Sequence, residues 1–152
     1  MYLRSCVRCN AGRIKTFIPM AGKTFEEVLR RFQEIEIDEP FDMIVAVANG
    51  GIIPAAILAQ KLDLEIFLLK INLRDAMQRP KYEHPVLLKE IDFEFKGKRI
   101  LLVEDRVKTG ATLNFAKELL HEAAVVKTFA VNGKADYQLY DESCFRFPWR
   151  ID

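Results

Sequence analysis

Apolar positions along this chain follow two alternating rhythms. Met43-Ile44-Val45-Ala46-Val47-Ala48 and Ile100-Leu101-Leu102-Val103 are unbroken apolar runs, short for helices and mostly aliphatic. That is the pattern of strands covered on both faces. Glu65 to Ile71 and Val125 to Val131 read as two further strands. Between them the spacing changes: Phe25, Val28, Leu29 and Phe32, then Ala55, Ala56, Leu58, Ala59 and Leu62, then Leu113, Ala116, Leu119 and Leu120 recur as stripes on helices. The punctuation agrees. Thr24-Phe25-Glu26-Glu27 is a capping-box signature, Asn49-Gly50-Gly51 stops the first apolar run, Pro54 suits the first turn of a helix, and Lys96-Gly97-Lys98 marks a tight turn. Strands alternating with helices predict an α/β protein with a parallel sheet covered on both sides.

Two stretches break the rhythm. Residues 1–22 show neither period, apart from an alternation over Arg13 to Ile18, and read as an extension or edge strand; Met20 could even serve as a start. The remaining 23–152 read as one domain, which suits the length. From Asn72 to His84 the chain turns polar, with Arg74, Arg79, Pro80, Lys81 and Tyr82. A loop this long inside a compact domain is usually functional, so it is expected to be a flap with a β-hairpin at its base.

Half the residues are hydrophobic and 30% are charged, with 23 Lys+Arg against 22 Asp+Glu. Such a balance exerts no long-range pull on a polyanion, so no nucleic acid is expected, while small anions remain open as ligands. No membrane span or signal-peptide pattern is legible. Cys6, Cys9 and Cys144 make an odd count, and the cytoplasm is the default compartment. Cys6-Val-Arg-Cys9 has the spacing of half a zinc site, but His84, His121 and Cys144 form no second pair; free thiols are the plainer reading.

The densest chemistry lies in residues 99–120, RILLVEDRVKTGATLNFAKELL. Ligands of an open parallel sheet bind beyond the carboxyl ends of its strands, where Asn49-Gly50-Gly51 and Glu104 to Thr112 are both expected. Thr109-Gly110-Ala111-Thr112 would open a helix, whose unpaired N–H groups and dipole favour an anion. Glu104 and Asp105 at the strand end suit vicinal hydroxyls or a hydrated Mg²⁺. Together these describe a pocket for a phosphorylated sugar. A threonine-capped helix beside two solvated acids would give the same letters.

Val103-Glu104-Asp105-Arg106-Val107-Lys108-Thr109-Gly110-Ala111-Thr112, after its apolar run, resembles the phosphoribosyl pyrophosphate motif of type I phosphoribosyltransferases. Val47-Ala48-Asn49-Gly50-Gly51 resembles that family's pyrophosphate loop, residues 72–86 its flexible hood, and Phe147-Pro148-Trp149 the tail of its xanthine-guanine branch. The resemblance implies the family fold, a mostly parallel twisted sheet flanked by helices, and Mg²⁺-dependent transfer of a 5-phosphoribosyl group to a purine-like nucleobase. It implies that Glu104 and Asp105 take the ribose hydroxyls, directly or through Mg²⁺-bound water, and that Lys108, Thr109, Gly110, Ala111 and Thr112 wrap the 5-phosphate. Asn49, Gly50 and Gly51 would face the pyrophosphate, Arg74, Arg79 and Lys81 would close over it, and Lys134 and Cys144 would lie at the base. It also implies a homodimer.

Three positions depart from the family pattern. Lys108 stands where 6-oxopurine enzymes carry an aspartate that assists proton movement, and a charged ammonium has no acceptor for that task. Asn49 replaces an arginine, losing a permanent cation beside the pyrophosphate. Cys144 replaces an aromatic that stacks on the base. The resemblance therefore leaves two readings: an enzyme with an unusual acceptor, or a catalytically weakened protein that binds phosphoribosyl pyrophosphate or a nucleotide as a regulator.

Overall fold

The computed structural model describes residues 22–72 and 83–151. The 13–18 alternation, Cys6, Cys9 and the flap cations Arg74, Arg79 and Lys81 lie outside them. Helix α1 (Phe25–Glu34) begins as its capping box requires: the Thr24 hydroxyl accepts from the Glu27 N–H at 3.1 Å, and the Thr24 N–H donates to the Glu27 carboxylate at 2.6 Å. Its far end is held by another element. Lys61 Nζ donates to the carbonyl oxygens of Phe32, Gln33 and Ile35 at 2.9, 3.0 and 2.6 Å, satisfying acceptors that a helix end leaves open.

The strands are β1 (Met43–Ala48), β2 (Ile66–Asn72), β3 (Val86–Leu87), β4 (Arg99–Arg106), β5 (Val125–Asn132) and β6 (Tyr137–Tyr140). They form one six-stranded sheet in the order β3-β2-β1-β4-β5-β6. All neighbours pair parallel except β2 and β3, whose antiparallel pairing of Ile71 with Leu87 and Asn72 with Val86 makes the hairpin expected beneath the flap. Helices α2 (Ile52–Leu62) and α3 (Ala111–Leu119) make the crossovers.

Alternation along each strand divides the core in two. Ile44, Ala46, Leu101, Val103, Phe129 and Val131 pack with Val28 and Phe32 of α1 and Ala55 and Leu58 of α2. Met43, Val45, Val47, Ile100 and Leu102 pack with Leu113 and Ala116 of α3. Parallel βαβ crossovers share one hand, so a chain that moves outward from β1 to β2 and then returns to the other side of β1 must put its next helix on the opposite face. The connections leaving β1 and β4 consequently diverge, and a crevice opens between them at the strands' carboxyl ends.

Candidate functional site

Two turns meet at that crevice. After β1 the Ala48–Asn49 peptide is cis, and the Gly51 N–H donates back to the Val47 carbonyl at 2.8 Å. A Cβ on Gly50 would stand 2.7 Å from Asp105 Oδ1, and one on Gly51 only 2.3 Å from the Val103 carbonyl. Glycine is needed here for close approach to β4, not for an unusual φ.

At the end of β4, Asp105 is only 6% exposed, and the half-buried Glu104 accepts from the Asp105 N–H at 3.2 Å. Burial, reinforced by the negative charge of Asp105, pushes the Glu104 carboxyl well above the usual range. Asp105 has a partner from the far end of the chain: Arg150 Nη2 stands 3.6 Å from its Oδ2.

Beyond Arg106 the chain turns into α3. Val107 N–H donates to the Asn132 carbonyl at 2.9 Å, tying the loop to the end of β5. Gly110 takes φ +81°, a left-handed conformation that glycine adopts without penalty, immediately before α3. Thr109 Oγ1 accepts from the Ala111 N–H at 3.3 Å, and no acidic side chain occupies the first turn of α3. That helix start is therefore electrostatically open to an anion.

These pieces line one cavity of about 750 Å³. Its wall takes Asn49 and Gly50 from the first turn, Glu104 and Asp105 from β4, and Lys108 to Thr112 from the second turn and α3. Lys70 and Asn72 come from β2, and Trp149 and Arg150 from the C-terminal segment. Gly51 sits behind this surface, wedged against β4.

A phosphoribosyl transferase domain model matches residues 21–148. The chain belongs to the phosphoribosyltransferase family. It is 34% identical to a xanthine-guanine phosphoribosyltransferase from Chromohalobacter salexigens, over 74% of this chain and 71% of that one. Against the xanthine-guanine phosphoribosyltransferase of Idiomarina loihiensis the identity is 27%, over 73% and 72%. These relatives put the chain on the xanthine-guanine-like branch. A crystal structure of a purine phosphoribosyltransferase from Pyrococcus horikoshii Ot3 shares the fold with a TM-score of 0.67 and 24% identity, covering 87% of this chain and 94% of that one.

Of the described site residues expected from sequence, all line the cavity except Gly51, Lys134 and Cys144. Lys134 is exposed on the turn after β5, and Cys144 is half-buried between Glu142 and Phe145; neither lines the cavity. At this end the wall is built instead by Arg106, Trp149 and Arg150. Arg106 donates through Nη2 to the Phe145 carbonyl, and its guanidinium lies 4.6 Å from the centre of the Phe147 ring. Phe147 in turn stacks on Trp149 at 5.1 Å. A charged residue directly after two acids at a strand end was the available clue to Arg106, whereas nothing local to Arg150 announces its contact with Asp105. Gly133 was also missed. At φ +118°, it lets the turn after β5 press against Val107, where a Cβ would stand 2.2 Å from the Val107 carbonyl.

Proposed function

We propose that this protein is a Mg²⁺-dependent phosphoribosyltransferase that moves the 5-phosphoribosyl group of phosphoribosyl pyrophosphate onto a purine-type base and releases pyrophosphate. The observation that carries the reading is the meeting of an acid pair, a glycine turn and an anion-accepting helix start in one cavity at the crevice between β1 and β4.

On this reading the backbone N–H groups of Lys108 to Thr112, with the threonine hydroxyls and the Lys108 ammonium, hold the 5-phosphate. Glu104 and Asp105 accept from the ribose hydroxyls and fix the sugar, while Asn49, Gly50 and Gly51 present the first turn to the pyrophosphate. Arg74, Arg79 and Lys81 of the flap close over the reacting bond, exclude water and balance the charge that develops on the leaving group. Lys134 and Cys144 belong to the acceptor side in this proposal. They would have to reach it from outside the present cavity wall.

The donor set fits Mg²⁺. Two adjacent carboxylates offer hard oxygen ligands, and a cation beside them would offset the burial and the Asp105 repulsion that keep Glu104 reluctant to ionise. Among the described residues no group of three or more His, Cys, Asp or Glu side chains is placed to hold a metal. Substrate oxygens and water would complete the shell, as is usual for this ion. When bound, it would draw charge from the pyrophosphate oxygens.

The test combines purified protein, Mg²⁺, labelled phosphoribosyl pyrophosphate and a panel of bases, with pyrophosphate release as the readout. Turnover with at least one base is expected. A second reading, ligand binding without catalysis, is favoured by Lys108, which supplies no proton acceptor beside the ring. Thermal stabilisation by phosphoribosyl pyrophosphate with no turnover would select it, and no stabilisation by any phosphorylated ligand would remove both. The proposal includes a homodimer in the cytoplasm, which light scattering and fractionation would check. No helix among the described residues is long and apolar enough to cross a membrane.

A further inference from the structure

Among the described residues four cations line the cavity, and their surroundings differ. Lys70 comes from β2, on the side of the first glycine turn, and Lys108 lies in the loop before α3. Arg150 is paired with Asp105. Arg106 has no carboxylate partner among the described residues. It is held by one carbonyl and one aromatic face, and its Nε–H is buried without a hydrogen-bond partner. In this half-buried side chain the Nε–H has lost water without gaining a partner, and the guanidinium faces the cavity without a described counter-ion, so an anionic ligand would complete it.

With the 5-phosphate at the loop before α3 and the pyrophosphate at the first turn, the end formed by Arg106, Trp149 and Arg150 is left for the acceptor. That end offers two cations and an aromatic ring. Among the described residues its only acids are Glu104 and Asp105, assigned above to the sugar, and neither His84 nor His121 lines the cavity. No described group is placed there to receive a proton from a neutral ring nitrogen.

We infer that the acceptor binds as an anion, an oxo-rich purine or similar acidic heterocycle, and that Arg106 is the residue that selects it. The inference rests on the phosphoribosyltransferase reading above. In the step, the lone pair of the deprotonated ring nitrogen forms the N–C1 bond while the C1–O bond to pyrophosphate breaks. The bonding pair leaves with pyrophosphate, and no proton has to be moved. Arg106 contributes by holding the negative charge of the ring close to the sugar before attack.

The experiment has two arms. In the first, calorimetry measures binding of phosphoribosyl pyrophosphate with Mg²⁺ to the wild type and to Arg106→Gln. Binding by the wild type supports the underlying reading, and its absence sinks reading and inference together. In the second, kcat/KM for pyrophosphate release is compared between urate, which has lost a ring proton at neutral pH, and hypoxanthine and adenine, which are neutral. The wild type is expected to favour urate by roughly tenfold or more, the scale of one charged hydrogen bond. Arg106→Gln should lose that preference while keeping its affinity for phosphoribosyl pyrophosphate, and Arg106→Lys should recover part of it. If the sugar phosphate binds and neutral bases are used as well as urate, the inference fails alone; if it binds and no acceptor is used, the transferase reading fails with it. If Arg106→Gln lowers all acceptors equally, Arg106 merely positions the C-terminal segment. Should that variant not fold, the wild-type comparison still decides.

Discussion

Gly50 and Gly51 are adjacent, yet a methyl group on each would meet a different kind of obstacle. At Gly51 it would strike the Val103 carbonyl, main chain in a central strand that cannot move without disturbing two neighbours. At Gly50 it would strike the Asp105 carboxylate, the end of a side chain. Gly51→Ala is therefore expected to cost about 1–3 kcal/mol, read as a lower melting temperature. Gly50→Ala should melt closer to the wild type but, on the proposed function, bind phosphoribosyl pyrophosphate more weakly, because the displaced carboxylate is one assigned to the sugar. Calorimetry on both variants separates the two effects. Lys108 invites the opposite kind of substitution. Lys108→Asp adds a proton acceptor at the cavity wall, and turnover with hypoxanthine or guanine should rise over the wild type in the pyrophosphate-release assay.

Among elements, the β5–β6 connection depends on one side chain. Asp136 Oδ2 accepts from both the N–H and the hydroxyl of Thr128 at 2.7 and 2.9 Å, and the Asp136 N–H donates to the same hydroxyl at 3.0 Å. Burial opposes ionisation of this carboxyl, but the Thr128 hydrogen bonds, aided by Lys117 and Lys127, outweigh it and hold it below the usual carboxylate range. Because the folded state binds the proton less readily than the unfolded chain, its contribution is complete above about pH 4 and fades as pH falls below that. Asp136→Asn should lower the melting temperature at pH 6 and narrow the gap to the wild type as the pH is taken toward 3 in a series of thermal melts. The turn also marks a limit of legibility. Strands β1 and β4 were readable because unbroken apolar runs have few alternatives, and α1 because its capping box is a local code. β6 was not, since Tyr137-Gln138-Leu139-Tyr140 is short and mixed, and it is a strand only because the edge of β5 is there to pair with it.

For the molecule as a whole, the cavity joins segments from both sides of the sheet and from the end of the described chain. The half of it proposed to face phosphate was legible because Gly50 and Glu104 to Thr112 sit next to the apolar runs that position them. Its other half was not, because Arg106, Trp149 and Arg150 acquire their places through Phe145 and Phe147, buried residues whose neighbours are remote in sequence. Trp149 is the chain's single tryptophan and lines the cavity, so its emission is expected to change on adding phosphoribosyl pyrophosphate or a nucleoside monophosphate. A saturable change that follows the calorimetric isotherm would check this. The Arg150–Asp105 contact bears on how every such titration is understood. An incoming hydroxyl or cation does not meet a bare carboxylate; it exchanges with a guanidinium already in attendance, and the measured affinity is the difference between the two. At a half-exposed arginine 3.6 Å away, that competition is worth about 1 kcal/mol at most, or roughly fivefold in a dissociation constant. The tail is thus a weak internal competitor, strong enough to discriminate against feeble ligands and too weak to exclude a good one.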